Sequence, residues 1–274
     1  MHSPSFAAIV ASLHGHVGKT LLARALTDYF VLSGGRPLIF DTDAVERGLH
    51  ALFPADARVI DLAVVRDQML LFDTLARPCP EMRVVDVTHR SLTKFFELLR
   101  GTDFIAEARS NDIEPVIFYI PDHSLDSLES GLVLRDNFPD CAFITVDNAF
   151  LKEPLHNVRQ GYAYQALRAH NWRFAMPKLA EQIVEALEES HLSLGDFMRQ
   201  PLSSSGEVPL PDNLAARLRL PLRTWIFRMF QETHRLTYAL VNHEEPAPAT
   251  LLRPWDADLE VWEEETTPTG FSQL

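Results

Sequence analysis

Hydrophobic positions along the chain follow two periods. Short apolar runs recur at 6–10, 37–40, 83–87, 115–120, 142–146 and 173–176, and each reads as a buried strand. Between them, 21–32, 66–77, 91–110, 125–137 and 178–189 read as helices. In the first, Leu21, Leu22, Ala25, Leu26, Tyr29 and Phe30 recur at helical spacing. In the third, Leu92, Phe95, Phe96 and Leu99 share a stripe, and in the last Leu179, Ile183, Val184 and Leu187 do. Ser33-Gly34-Gly35 closes the first helix with glycine free to take a left-handed cap. Strand and helix alternating in this way predict an α/β fold: a mostly parallel sheet, helices on both faces, right-handed crossovers.

The rhythm stops near residue 200. Residues 201–212, opening Pro201-Leu202-Ser203-Ser204-Ser205-Gly206, read as a linker after a 1–200 domain. Residues 213–243 read as an amphipathic helix with Pro221 in its first turn. Leu222, Ile226, Met229, Phe230, Leu240 and Val241 form its apolar stripe, and Arg217, Arg219, Arg223, Arg228 and Arg235 make it locally basic. Residues 244–274 are Pro-rich and acidic, with Trp255 and Trp262 among six carboxylates from Asp256 to Glu265. That composition is too poor in apolar residues to pack alone, so a mobile tail is expected.

Between the first strand and the first helix lies Ser12-Leu13-His14-Gly15-His16-Val17-Gly18-Lys19-Thr20. Strand, glycine-bearing turn, Gly-Lys-Thr and helix is the layout of a phosphate-binding loop, although the first glycine of G-x-x-x-x-G-K-[ST] falls at Leu13. Gly15 and Gly18 let backbone N–H groups crowd a polyphosphate, and the helix N-terminus adds unpaired N–H groups. Lys19 reaches the β/γ-phosphates and the Thr20 hydroxyl ligates Mg²⁺ in such loops. The expected frame is then the three-layer sandwich of phosphate-loop nucleotide-binding proteins. Other strand ends carry Asp41 and Asp43, Asp86, and Asn148, where open α/β sheets bind their ligands. Mg²⁺ needs only one or two protein carboxylates. Asp86 could hold a metal-bound water and Asp41 or Asp43 could orient an attacking one. The plain alternative is that each Asp caps the following helix.

Composition narrows this further. The 274 residues are 46% hydrophobic and 23% charged, enough for a sizeable core. A net charge of −13 brings no general attraction to nucleic acid or anionic lipid. Two cysteines, Cys79 and Cys141, stand in no paired motif, as expected in a reducing cytoplasm. No apolar run reaches membrane-spanning length, and the start lacks the basic region and cleavage site of a secretory leader.

His14-Gly15-His16-Val17-Gly18-Lys19-Thr20 followed by Phe40-Asp41-Thr42-Asp43 resembles the deviant phosphate loop and paired-Asp switch of the ParA/MinD-like ATPases. With Val85-Asp86-Val87, Thr145-Val146-Asp147-Asn148 and Met176-Pro177-Lys178, the likeness is nearest the conjugal-transfer TraL-like branch and covers about residues 6–198. It implies an ATP- and Mg²⁺-dependent switch in plasmid or conjugal DNA handling or cargo positioning, with an ATP-sandwiched homodimer. It implies that Gly15, Val17, Gly18 and Lys19 wrap the phosphates while Thr20, Asp41 and Asp86 attend the metal. Asp43 would then help activate water, and Asn148 and Pro177 would lie beside adenine. His14 stands where the family has its signature lysine, His16 replaces a glycine, and His89 replaces the glycine of Asp-x-x-Gly. These departures leave room for a nucleotide-binding regulator that hydrolyses little. A third alternative is a kinase or synthetase acting on a small molecule through Arg90, Lys94, Tyr162 and Tyr164. The C-terminal helix is expected to dock on the nucleotide-binding domain or in a protein partner's groove, and the acidic tail could also meet a partner; a membrane is the weaker fit for the helix, because it is not terminal and an acidic tail follows it.

Overall fold

The computed structural model describes residues 5–190, 193–195 and 216–248. The linker 201–212 and the tail beyond 248 lie outside the described residues, as do the chain's first four.

Seven parallel strands form one sheet in the order β3-β2-β4-β1-β5-β6-β7. They are β1 (Ser5–Ala11), β2 (Leu38–Asp41), β3 (Ala57–Val59), β4 (Arg83–Asp86), β5 (Ile113–Tyr119), β6 (Ala142–Asn148) and β7 (Arg173–Met176). The central strand β1 is buried along its whole length. Its side chains alternate, as the pleat requires. Phe6, Ala8 and Val10 join one apolar cluster, and Ala7, Ile9 and Ala11 join the other. Register places Ile9 opposite Val85 of β4 and Ile117 of β5.

The first cluster is covered by α1 (Lys19–Leu32), α9 (Glu181–Ser190) and α10 (Ala216–Asn242), with Leu49 of α2 (Gly48–Leu52). The second is covered by α3 (Val65–Ala76), α4 (Leu92–Gly101), α5 (Phe104–Ser110), α6 (Leu125–Asn137) and α8 (Tyr162–Arg168); the short α7 (His156–Gln160) precedes α8. The result is the expected α/β sandwich of three layers. The chain leaves β1 toward one face and leaves its neighbour β4 toward the other. That divergence opens a crevice at the carboxyl ends of the two strands, where open α/β sheets seat their ligands.

Three local details differ from expectation. The single helix expected at 91–110 is two, α4 and α5, broken where Asp103 takes φ +51°. Strand β3, three residues long, was too short to show a period. Helix α10 is already formed at Ala216, so Pro221 lies inside it rather than in its first turn.

The buried face of α10 carries Leu222, Ile226, Met229, Leu236 and Leu240, all in the cluster that holds α1. Its polar contacts go to α1, where the Tyr29 hydroxyl lies 2.9 Å from His234 Nδ1, to β7 and to the segment after β7. Glu232, paired with Arg235, accepts the Ala175 N–H of that edge strand (3.2 Å), and the Trp225 indole N–H donates to Pro177 O (2.7 Å). An edge strand with free N–H groups is a liability; here one of those donors is taken by a helix of the same chain.

Candidate functional site

The loop between β1 and α1 is held open by its own backbone. Ser12 donates its hydroxyl to Ile120 O (2.7 Å), anchoring the loop to the end of β5. His16 takes φ +56° and Gly18 takes φ +93°. A Cβ on Gly18 would stand 2.7 Å from Met176 Cε and 2.9 Å from Asn148 Nδ2, so only glycine fits there. Gly18 also precedes α1 without any side-chain cap, which leaves first-turn N–H groups of a 14-residue helix open to an anion. Val17 is buried beneath the loop.

Lys19 is almost entirely buried, and its Nζ donates back to His14 O (2.8 Å), spanning the loop. Burial pulls the ammonium below its ordinary pKa, partly offset by Asp86, Asp43 and Glu46. Thr20 donates its hydroxyl to Asp86 Oδ2 (2.6 Å). The other oxygen of Asp86 is buried with no hydrogen-bond partner. Burial pushes this carboxyl up to about 7; the Thr20 bond and Lys19 oppose the shift, and Asp41 and Asp43 reinforce it. A buried carboxylate with an orphaned oxygen beside a hydroxyl is a donor set that fits a hard divalent cation. Among the described residues no group of three or more His, Cys, Asp or Glu side chains is placed to hold a metal alone, so such an ion would complete its shell with water or phosphate.

Asp41 is placed otherwise. Its Oδ1 accepts Asp43 N–H (2.9 Å), and its Oδ2 accepts Leu49 N–H (2.9 Å) and His50 N–H (3.0 Å). Both oxygens accept backbone N–H groups of the β2–α2 turn, which is the capping alternative. Asp43 lies on the crevice rim. Burial alone would raise its pKa, but the Glu46 N–H, the Thr88 hydroxyl, the Val45 N–H and Arg90 together hold it below the usual carboxylate value.

Two residues that the sequence did not single out tie this rim together. Thr42 N–H and hydroxyl both donate to Asp86 O (3.0 and 3.1 Å). Thr88 N–H donates to the Thr42 hydroxyl (2.8 Å), and the Thr88 hydroxyl to Asp43 Oδ2 (2.9 Å). The segments after β2 and β4 are therefore riveted to each other. The visible signal was a threonine within two residues of each strand-end Asp, Thr42 next to Asp41 and Thr88 two past Asp86. Past them, the His89 ring approaches Gly15 closely enough that a Cβ there would stand 3.2 Å from His89 Cε1.

Asn148 braces the loop. Its Nδ2 donates to Val17 O (2.9 Å), and its Oδ1 accepts Phe150 N–H (2.9 Å). Asp147 pairs instead with Arg168 and Arg173, away from the crevice. Pro177 has its carbonyl engaged by Trp225. His14 turns toward α6: its Nδ1 lies 2.6 Å from Asp122 Oδ2 and its Nε2 3.5 Å from Asp126 Oδ2. The structure thus gathers residues 14–20, Asp43, Asp86 and Asn148 at one sheet end, with Asp41 beneath them as a cap. No described helix is long and apolar enough to cross a membrane.

No family model matches the chain, and no curated protein matches it. Among solved structures it is similar to a point variant of Cyanothece McdA in complex with ATP. Identity is 14% over 84% of this chain and 98% of that one, with a TM-score of 0.39. It is also similar to a MinC:MinD cell division protein complex from Aquifex aeolicus. There the identity is 12% over 81% of this chain and 96% of that one, with a TM-score of 0.36.

Proposed function

We propose that the chain is a nucleotide-switched ATPase of the ParA/MinD-like class, binding ATP with Mg²⁺ in the loop at residues 14–20 and hydrolysing it slowly. One observation carries the reading: the Thr20 hydroxyl sits 2.6 Å from a buried Asp86 whose second oxygen has no partner, directly beside an uncapped helix N-terminus. A buried carboxylate without a full set of partners destabilises the fold, so its presence points to a ligand that it serves.

In this reading Gly15, His16, Val17 and Gly18 present backbone N–H groups to the phosphates, and Lys19 releases His14 O to meet the β/γ-oxygens. Thr20 and Asp86 would hold Mg²⁺, which supplies charge neutralisation across the β- and γ-phosphates. Asp43, its carboxylate held by Thr88, stays anionic and accepts a hydrogen bond that orients the attacking water. Asn148 fixes the loop from beneath the base side, and Pro177 borders it. Exposed apolar side chains follow the carboxyl ends of four strands — Val45, Val65, Leu125 and Phe150 — which supports a second copy covering this face when ATP is bound. Work in plasmid or conjugal DNA handling, or in positioning cargo, follows from the resemblance of the motifs alone.

A second reading, a regulator that binds nucleotide and hydrolyses little, is favoured by His14. The residue in the signature-lysine position is engaged by Asp122 and Asp126, and an imidazole so held delivers less charge to a second nucleotide. Turnover of ATP with Mg²⁺, lost in Lys19→Ala, supports the ATPase. ATP-dependent dimerisation without turnover supports the regulator. Neither turnover nor ATP-dependent dimerisation contradicts both.

A further inference from the structure

Lys19 is the cation built into the phosphate loop, and its surroundings already include Asp86, Asp43 and Glu46. Mg²⁺-bound triphosphate remains an anion, and His14 is turned away to α6. The loop alone therefore leaves part of the γ-phosphate charge unmatched. Among the described residues, Arg90 is a further cation on the rim. Arg90 lies in the short turn His89–Ser91 that follows Asp86 and β4. The preceding residue, His89, packs its ring on Gly15 of the loop. Arg90 itself faces the β2 side of the crevice, with Nη2 2.7 Å from Glu46 Oε1 and Nη1 3.9 Å from Asp43 Oδ1. The turn thus spans from the loop to the carboxylate that the preceding reading sets beside the attacking water.

We infer that Arg90 is the γ-phosphate arm of this site and that Glu46 is its resting latch. The inference rests on the reading of residues 14–20 as a nucleotide loop. The Arg90 side chain is 51% exposed and that of Glu46 59%. An ion pair that open is screened and weakly held, so the guanidinium can exchange Glu46 for phosphate. A planar fork of N–H donors suits a phosphate's oxygens as the lysine's point charge does not. With triphosphate bound, Arg90 donates to the γ-oxygens and stays beside Asp43. With diphosphate it has nothing to reach and returns to Glu46. The consequence is a site that distinguishes ATP from ADP through a residue outside the loop.

The test is calorimetry with Mg²⁺ on the full chain, using a non-hydrolysable ATP analogue and ADP as separate probes. Wild type binds the analogue more tightly than ADP. Arg90→Ala weakens analogue binding by about tenfold, the scale of a charge-assisted contact, and leaves ADP within about twofold. Glu46→Gln, which removes the latch, tightens the analogue and leaves ADP alone. Both side chains are half-exposed surface groups, so neither change threatens folding. An analogue-to-ADP ratio unchanged in Arg90→Ala overturns the inference and leaves the loop reading intact, as does an equal loss of both ligands. If wild type binds neither probe, the loop reading itself fails and the inference falls with it.

Discussion

Replacing Asp86 by Asn should stabilise the metal-free protein at pH 8 and not at pH 5. The carboxyl is buried, and its pKa rises from 3.8 to about 7 on folding. Between those values the folded state binds the extra proton, so this group's contribution is complete below the unfolded pKa and is lost as pH rises through about 7. At about 1.36 kcal/mol per unit, ionising Asp86 in the fold costs about 4 kcal/mol at pH 8 but only about 1–2 kcal/mol at pH 5. Asn keeps an oxygen for the Thr20 hydroxyl and carries no charge. It places an amide N–H₂ where the orphaned oxygen lies, at a cost of about 1–3 kcal/mol. The difference between variant and wild type should therefore move by about 2–3 kcal/mol from pH 5 to pH 8, with the variant ahead at the upper end. Urea unfolding of both proteins at the two pH values, with chelator present, measures it. A variant that is less stable by the same amount at both would refute the reasoning, because Asp86 would then be ionising without penalty and its burial would carry no functional meaning.

Gly18→Ala should cost about 1–3 kcal/mol in urea unfolding and abolish nucleotide binding, because Gly18 has φ +93° and a Cβ would crowd Asn148 and Met176. Trp225→Phe should destabilise by about 1–3 kcal/mol by leaving the Pro177 carbonyl without its indole donor; a neutral result in urea would show that α10 is held by its apolar face alone. Thr88→Val should leave ATP affinity unchanged and lower turnover about tenfold, one lost hydrogen bond's worth, since Thr88 donates to Asp43 and not to the loop; an equal fall in affinity would deny it a positioning role.

The layered fold was legible because its signals are local. The run at 6–10 is apolar throughout since β1 is covered on both faces, and α4 shows its stripe because Phe95, Phe96 and Leu99 meet the sheet at helical spacing. The loop was legible for the same reason, as its glycines and Lys19 are neighbours in the chain. Contacts between distant segments were not. Nothing near Asp41 says that Leu49 and His50 will claim its carboxylate. Nothing near Thr88 says that it will bond Asp43, 45 residues away. The helix at 213–243 read as docking either on the nucleotide-binding domain or in a partner's groove; α10 is seated on α1 and β7, and the choice was not legible because its stripe matches an apolar face of the sheet only in three dimensions.

The account stands most directly on whether residues 14–20 grip a nucleotide. Calorimetry of the full chain with Mg²⁺ and ATP, repeated with Lys19→Ala, decides it. The account predicts saturable heat with wild type and none with the variant. Equal heat from both, or none from wild type with ATP or GTP at protein concentrations where millimolar affinity would register, would contradict it.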